Sequence, residues 1–117
     1  MNTQWIKITP TSSIPLREGR PVTVAGCDIA IFHLPAGFMA VDNKCPHGGG
    51  PLCDGITSGT KVACPLHGWK ICLQSGKVER PNVEASVRTY PVRVTEGIIE
   101  MDIAQALVAR ELKECAA

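Results

Sequence analysis

Two short runs in this chain can do chemistry together. Cys45-Pro46-His47 reads C-x-H, and sixteen residues later Cys64-Pro65-Leu66-His67 reads C-x-x-H. Each run offers one thiolate and one imidazole from a single tight turn. Two thiolates on one iron and two imidazoles on the other make the ligand set of a mixed-ligand [2Fe–2S] cluster. Neutral imidazole in place of anionic thiolate leaves such a cluster less negative, so it accepts an electron more readily than an all-cysteine cluster. The same ligand types also suit a structural Cys2His2 zinc site. Zinc sites more often open on C-x2-4-C and close on H-x3-5-H, so the alternating order here is unusual for them.

The neighbours of the four residues fit tight loops. A proline follows each cysteine and restricts the turn. Gly48, Gly49 and Gly50 follow His47, and Gly68 follows His67. Glycines there let backbone N–H groups approach an anionic centre and let the chain turn sharply.

The elements that must hold these loops read as strands. Pro21–Ala25 and Asp28–Leu34 are β-rich runs with a hairpin signal at Gly26-Cys27. Pro35-Ala36-Gly37 turns the chain into Phe38–Asp42, after which the first loop begins. Thr60–Ala63 leads into the second loop, Trp69–Leu73 alternates, and Gln74-Ser75-Gly76 turns again. Residues 79–86 read as a polar loop. Val87–Val94 and Ile98–Ile103 flank Glu96-Gly97, another hairpin signal. Many short strands with Gly or Pro turns predict an all-β sandwich or barrel. At the end, Ala104, Leu107, Val108, Leu112 and Cys115 fall on one face at helical spacing, which predicts a short helix. Asp102, with Gln105, is placed to cap its start.

Bulk properties narrow the function. The 117 residues make one domain, enough for a small core but not for a separate catalytic domain. A net charge of +1 with both signs interspersed gives no nucleic-acid footprint and no strong steering field. No apolar run approaches a membrane span. The first residues, MNTQWIKITP, lack a basic and then apolar leader, so a cytoplasmic location is the default expectation. Of six cysteines, Cys27, Cys53, Cys72 and Cys115 lie outside the two motifs. A reducing compartment disfavours pairing them, so Cys27 and Cys72 are expected to be buried or half-buried thiols and Cys53 a spectator in the first loop. His33 reads as an ordinary strand residue. Trp5, Phe32, Phe38 and Tyr90 read as packing.

The run NKCPHGGGPLCDGITSGTKVACPLHGWKICLQSGKV resembles a Rieske ferredoxin domain. The likeness extends from about Trp5 to Ile103 and includes the later VRTYPVRV strand. It implies a Rieske-type β-sandwich or barrel over residues 1–103, with a cluster-binding subdomain of two loops at about 43–76. Residues 104–117 would form a C-terminal helical tail. It also implies one Rieske [2Fe–2S] cluster per chain, with Cys45 and Cys64 on the inner iron and His47 and His67 on the outer one. Trp69 would cover the cluster loop. High-potential members carry a loop disulfide, whose positions would be Gly50 and Leu66 here. They also carry hydroxyl donors at the positions of Trp69 and Ile71, so this chain implies a low potential.

Within that family the chain most resembles the small subunit of assimilatory NAD(P)H nitrite reductase. Its partner would then be a large subunit carrying sirohaem and flavin, where nitrite is reduced to ammonium. The alternative is a stand-alone Rieske ferredoxin passing electrons from a flavin reductase to a ring-hydroxylating dioxygenase. A third reading is a zinc-stapled interaction module. In the first two readings the catalytic centre is on a partner chain, since no phosphate-binding fingerprint or nucleophile constellation is present.

Overall fold

β2 (Gly19–Val24) and β3 (Cys27–Leu34) pair antiparallel, with Val24 opposite Cys27. Ala25 and Gly26 therefore form a two-residue turn. Both have positive φ, 51° and 79°, the mirror-image turn whose twist matches antiparallel strands. The turn lies one residue earlier than the sequence suggests, because Cys27 begins β3. β4 (Gly37–Asp42) pairs with β3, and the short β9 (Thr89–Tyr90) pairs with β4. These four strands make a middle sheet in the order β2-β3-β4-β9. The structure is a computed structural model that describes residues 4–46, 49–66 and 68–111.

A second sheet has the order β1-β11-β10, formed by β1 (Trp5–Pro10), β10 (Val92–Thr95) and β11 (Ile98–Asp102). Glu96-Gly97 makes the β10–β11 turn as expected, with φ of 51° and 75°. Two expectations need correction. The run Val87–Val94 is not one strand: β9 belongs to the middle sheet and β10 to the outer one. Pro91 stands between them, where its missing N–H stops the ladder and lets the chain change sheets. β1 has no counterpart in the sequence reading; it is a half-buried strand at the edge of its sheet.

The third sheet is a meander, β5 (Ile56–Ser58), β6 (Lys61–Ala63), β7 (Lys70–Cys72) and β8 (Val78–Arg80), paired in chain order. β3 is buried on both faces because period-two alternation splits its apolar residues between two cores. Ala30, Phe32 and Leu34 join Leu52, Val62 and Ile71 on one side. Ile29 and Ile31 join Tyr90, Ile99 and Met101 on the other. Phe32 is fully buried, and truncating such a ring to alanine costs about 3–5 kcal/mol.

The predicted helix is present as α1 (Ala104–Glu111). Asp102 Oδ1 accepts the Ala104 N–H at 3.0 Å and the Gln4 N–H at 2.9 Å, so it caps the helix and ties it to the N-terminal segment. The buried face differs from the predicted one. Ala106 is fully buried against the second core, whereas Val108 is 51% exposed. Leu112 and Cys115 lie outside the described residues. Cys27 is disulfide-bonded, where the sequence reading suggested a reduced thiol.

Candidate metal centre

The first loop leaves β4 at Asp42 and closes on Asn43. The Leu52 N–H donates to the Asn43 carbonyl at 2.7 Å, and Lys44 bridges Pro51. Inside that base, the Cys45 N–H donates to the Gly50 carbonyl at 2.9 Å. The Gly49 N–H donates back to the Cys45 carbonyl at 3.0 Å. The second loop springs from the β6–β7 hairpin, closed by Ala63 opposite Lys70. There the Cys64 N–H donates to the Trp69 carbonyl at 2.8 Å, and the Gly68 N–H to the Cys64 carbonyl at 2.9 Å.

The two loops thus share one backbone pattern although their motifs differ by a residue. Each cysteine carbonyl accepts from a glycine four residues on, and each cysteine N–H donates to the carbonyl five residues on. Gly49 and Gly68 hold φ of 74° and 73°, a left-handed conformation that glycine adopts without steric cost. In sequence the histidine stands two residues after Cys45 and three after Cys64. His47 and His67 themselves lie outside the described residues.

Cys45 and Cys64 are 2% and 3% exposed and belong to the same core as Leu52, Val62 and Ile71. Pro46, Gly49, Pro51, Pro65 and Leu66 are exposed. The loops therefore bury the two cysteines and present an apolar crest. Trp69 is half-buried and packs against this core. Gly50 is buried where the loops meet, and a side chain there would strike both Cys64 and Leu66. The two positions named for the missing loop disulfide do face each other.

This arrangement fits an iron–sulfur cluster. Two soft sulfur donors sit in one dry core on two loops of matched conformation. The glycine at the crossing keeps the space beside Cys64 free of side chain.

Cys53 is not arranged as a donor. It is 8% exposed in the short 3-10 turn Leu52–Asp54. Burial is the main influence raising its pKa; the neighbouring carboxylates of Asp54 and Asp28 add to it, and a hydrogen bond from Asn43 opposes it. Burial and the nearby carboxylates therefore favour the protonated thiol. Cys72, half-buried, remains a free thiol as expected. His33 also behaves as expected. Its Nδ1 lies 2.8 Å from the Ile14 carbonyl, and its ring stacks on Phe38 with centroids 4.2 Å apart.

The residue that sequence reasoning missed is Asn43. It is 3% exposed. Its Oδ1 accepts the Cys53 N–H at 2.8 Å, and its Nδ2 lies 3.2 Å from each Asp28 carboxylate oxygen. Its own N–H donates to the Asp28 carbonyl at 3.0 Å. One side chain therefore closes the first loop and anchors it to the start of β3. An amide two residues before Cys45 was the only available signal.

Comparison with known proteins agrees with this geometry. A family model described as the Rieske [2Fe-2S] domain matches residues 4–91. The ferredoxin component of a naphthalene 1,2-dioxygenase system from Pseudomonas putida is 30% identical over 103 residues, covering 88% of this chain and 99% of that protein. Among solved structures, a protein described as the small subunit of an NADH-dependent nitrite reductase from Mycobacterium tuberculosis superposes with a TM-score of 0.77 at 28% identity. That match covers 86% of this chain and 96% of the other. The ferredoxin of carbazole 1,9a-dioxygenase from Nocardioides aromaticivorans superposes with a TM-score of 0.78 at 19% identity, over 84% of this chain and 96% of that one, a likeness of fold.

Proposed function

The chain belongs to the Rieske [2Fe–2S] family, and from that premise we propose that it is the ferredoxin of an oxygenase system. It takes single electrons from a flavoprotein reductase and delivers them to a ring-hydroxylating oxygenase. The observation that carries this reading is the near end-to-end match to a dioxygenase ferredoxin component, 99% of that protein's length. It displaces the nitrite reductase subunit as the first choice. That subunit stays as the second reading because the Mycobacterium tuberculosis relative has nearly the same fold at 28% identity.

When bound, a [2Fe–2S] cluster supplies a centre that cycles through one electron. Cys45 and Cys64 would hold it from the buried side of the loops, and His47 and His67 would complete the ligand set. Buried thiolates beside Leu52 and Val62 keep water from the sulfur side. The exposed Pro46, Pro65 and Leu66 give a partner an apolar surface to cover. That cover expels water from the surface of the loops.

Affinity capture of the tagged holoprotein from its source cells tests the reading. Recovery of a flavoprotein reductase and an oxygenase supports it. Recovery of a sirohaem protein instead transfers the assignment to the nitrite reductase subunit.

A further inference from the structure

The net charge of +1 conceals a partition. Residues 43–80, which carry both loops and the meander, contain Lys44, Lys61, Lys70, Lys77 and Arg80 against Asp54 and Glu79. The rest of the chain has the opposite balance, seven basic residues against nine acidic. Residues 43–80 therefore carry a net positive charge and the rest of the chain a net negative one.

The meander places part of this charge in one row. Ile56 pairs with Ala63, Ala63 with Lys70, and Lys70 with Arg80, so the row crosses all four strands. Val62, Ile71 and Val78 point to the opposite, buried face. A register shift between Lys70 and Ile71 puts Glu79 on the outside as well. Glu79 pairs with Lys61 at 2.6 Å. Among the described residues, Lys70 and Arg80 form no ion pair. Ile56 is 79% exposed, and an open cleft of about 570 Å³ runs beneath these side chains. Ala63 directly precedes Cys64, and Lys70 directly follows Trp69. The row thus flanks the base of the second loop, whose Leu66 is 56% exposed.

We infer that this face docks an acidic protein surface, with partner carboxylates opposite Lys70 and Arg80 and an apolar contact over Ile56 and Leu66. The inference rests on the redox-carrier reading above and names the kind of partner that reading requires. Exposed apolar residues rimmed by unpaired charge are the surface composition of a transient interface. The net positive charge of the segment that carries both loops favours contact of this face with an acidic partner. A second copy of this chain suits the face poorly, because a self-complementary contact would set Lys70 and Arg80 against like charge.

Two measurements test it on the holoprotein. First, the dithionite-reduced cluster is oxidised by ferricyanide, an anion, and by tris(phenanthroline)cobalt(III), a cation. The ferricyanide rate of the native protein should fall several-fold between about 10 and about 200 mM salt, and the cobalt rate should rise. Lys70→Glu with Arg80→Glu should reverse both slopes. Lys7→Glu, an exposed change on β1, should leave them as they are. Second, poly-L-glutamate should shield Lys70 from acetylation, read by mass spectrometry, more strongly than single-stranded DNA at equal charge. Salt-independent rates, or slopes that Lys7→Glu alters equally, would overturn the inference. Stronger shielding by DNA would overturn it in favour of a nucleic-acid surface. A protein with no reducible centre would fail both acceptors alike, and the redox reading itself would then fall.

Discussion

Gly50 passes the Cys64 thiol at backbone contact. A Cβ added at Gly50 would stand 2.8 Å from Cys64 Sγ and 2.9 Å from Leu66 Cγ, closer than real carbons pack. The first loop can cross the second only because this position has no side chain. Gly50→Ala is expected to cost about 1–3 kcal/mol through overpacking and to lower the iron content of the purified protein. Gly49→Ala is the contrast. Its φ of 74° is strained for alanine, at roughly 1 kcal/mol, but nothing lies within 4 Å of the new methyl. Iron per chain should be lower for Gly50→Ala than for Gly49→Ala. Equal loading would show that the crossing is not tight.

Asn43 should matter more than its distance from any motif histidine suggests. Asn43→Ala leaves the buried Cys53 N–H without its acceptor, at about 1–3 kcal/mol. Asn43→Asp keeps that acceptor but sets a carboxylate against Asp28. Both variants should lose iron to a chelator faster than the native protein, and Asn43→Asp should melt lower as the pH rises from acid to neutral. A native-like chelation rate in both would remove Asn43 from the support of the first loop.

Tyr90 makes stability depend on alkaline pH. Its hydroxyl donates to Asp42 Oδ1 at 2.5 Å. Burial, then this bond to a carboxylate, pushes its pKa above the ordinary value. The unfolded chain therefore loses the phenolic proton first. The stabilisation is complete below about pH 10 and declines as pH rises toward the folded-state value. Tyr90→Phe should cost about 1–3 kcal/mol at neutral pH and remove that part of the alkaline slope. Because the chain has one tyrosine, phenolate absorbance reports it directly. Titration at the ordinary value in the folded protein would contradict the account.

The cluster potential should lie low in the Rieske range, near about −150 mV rather than +300 mV. Ile71 is fully buried and Trp69 half-buried, and neither offers a hydroxyl to a cluster sulfur. A hydrogen bond to sulfur would raise the potential by spreading negative charge. Protein-film voltammetry measures it, and a value well above zero would contradict the argument.

The sequence exposed its local rules more clearly than its long-range ones. Glu96-Gly97 marked a turn because glycine readily takes positive φ. The spacing of Cys45 and Cys64 with their neighbouring prolines and glycines located both loops. Pro91 was visible, but its effect was not, because a sheet change depends on which strand waits on each side. Ala106 took the buried helix position that the apolar pattern gave to Val108, since the fit against Cys27 and the second core favours a small side chain. Asn43 was hidden for the same reason. Its partners, Asp28 and Cys53, are fifteen and ten residues away and meet only in the fold.

The most direct test of the account is the metal content and reduced-state spectrum of the anaerobically purified protein, with histidine labelled by nitrogen-15. The account predicts two irons and two labile sulfides per chain, as the family cluster requires. Reduction should give one rhombic paramagnetic signal with hyperfine coupling to two histidine nitrogens, lost together with the colour in Cys45→Ser or Cys64→Ser. Stoichiometric zinc without iron, or an iron–sulfur signal with no histidine coupling, would contradict it.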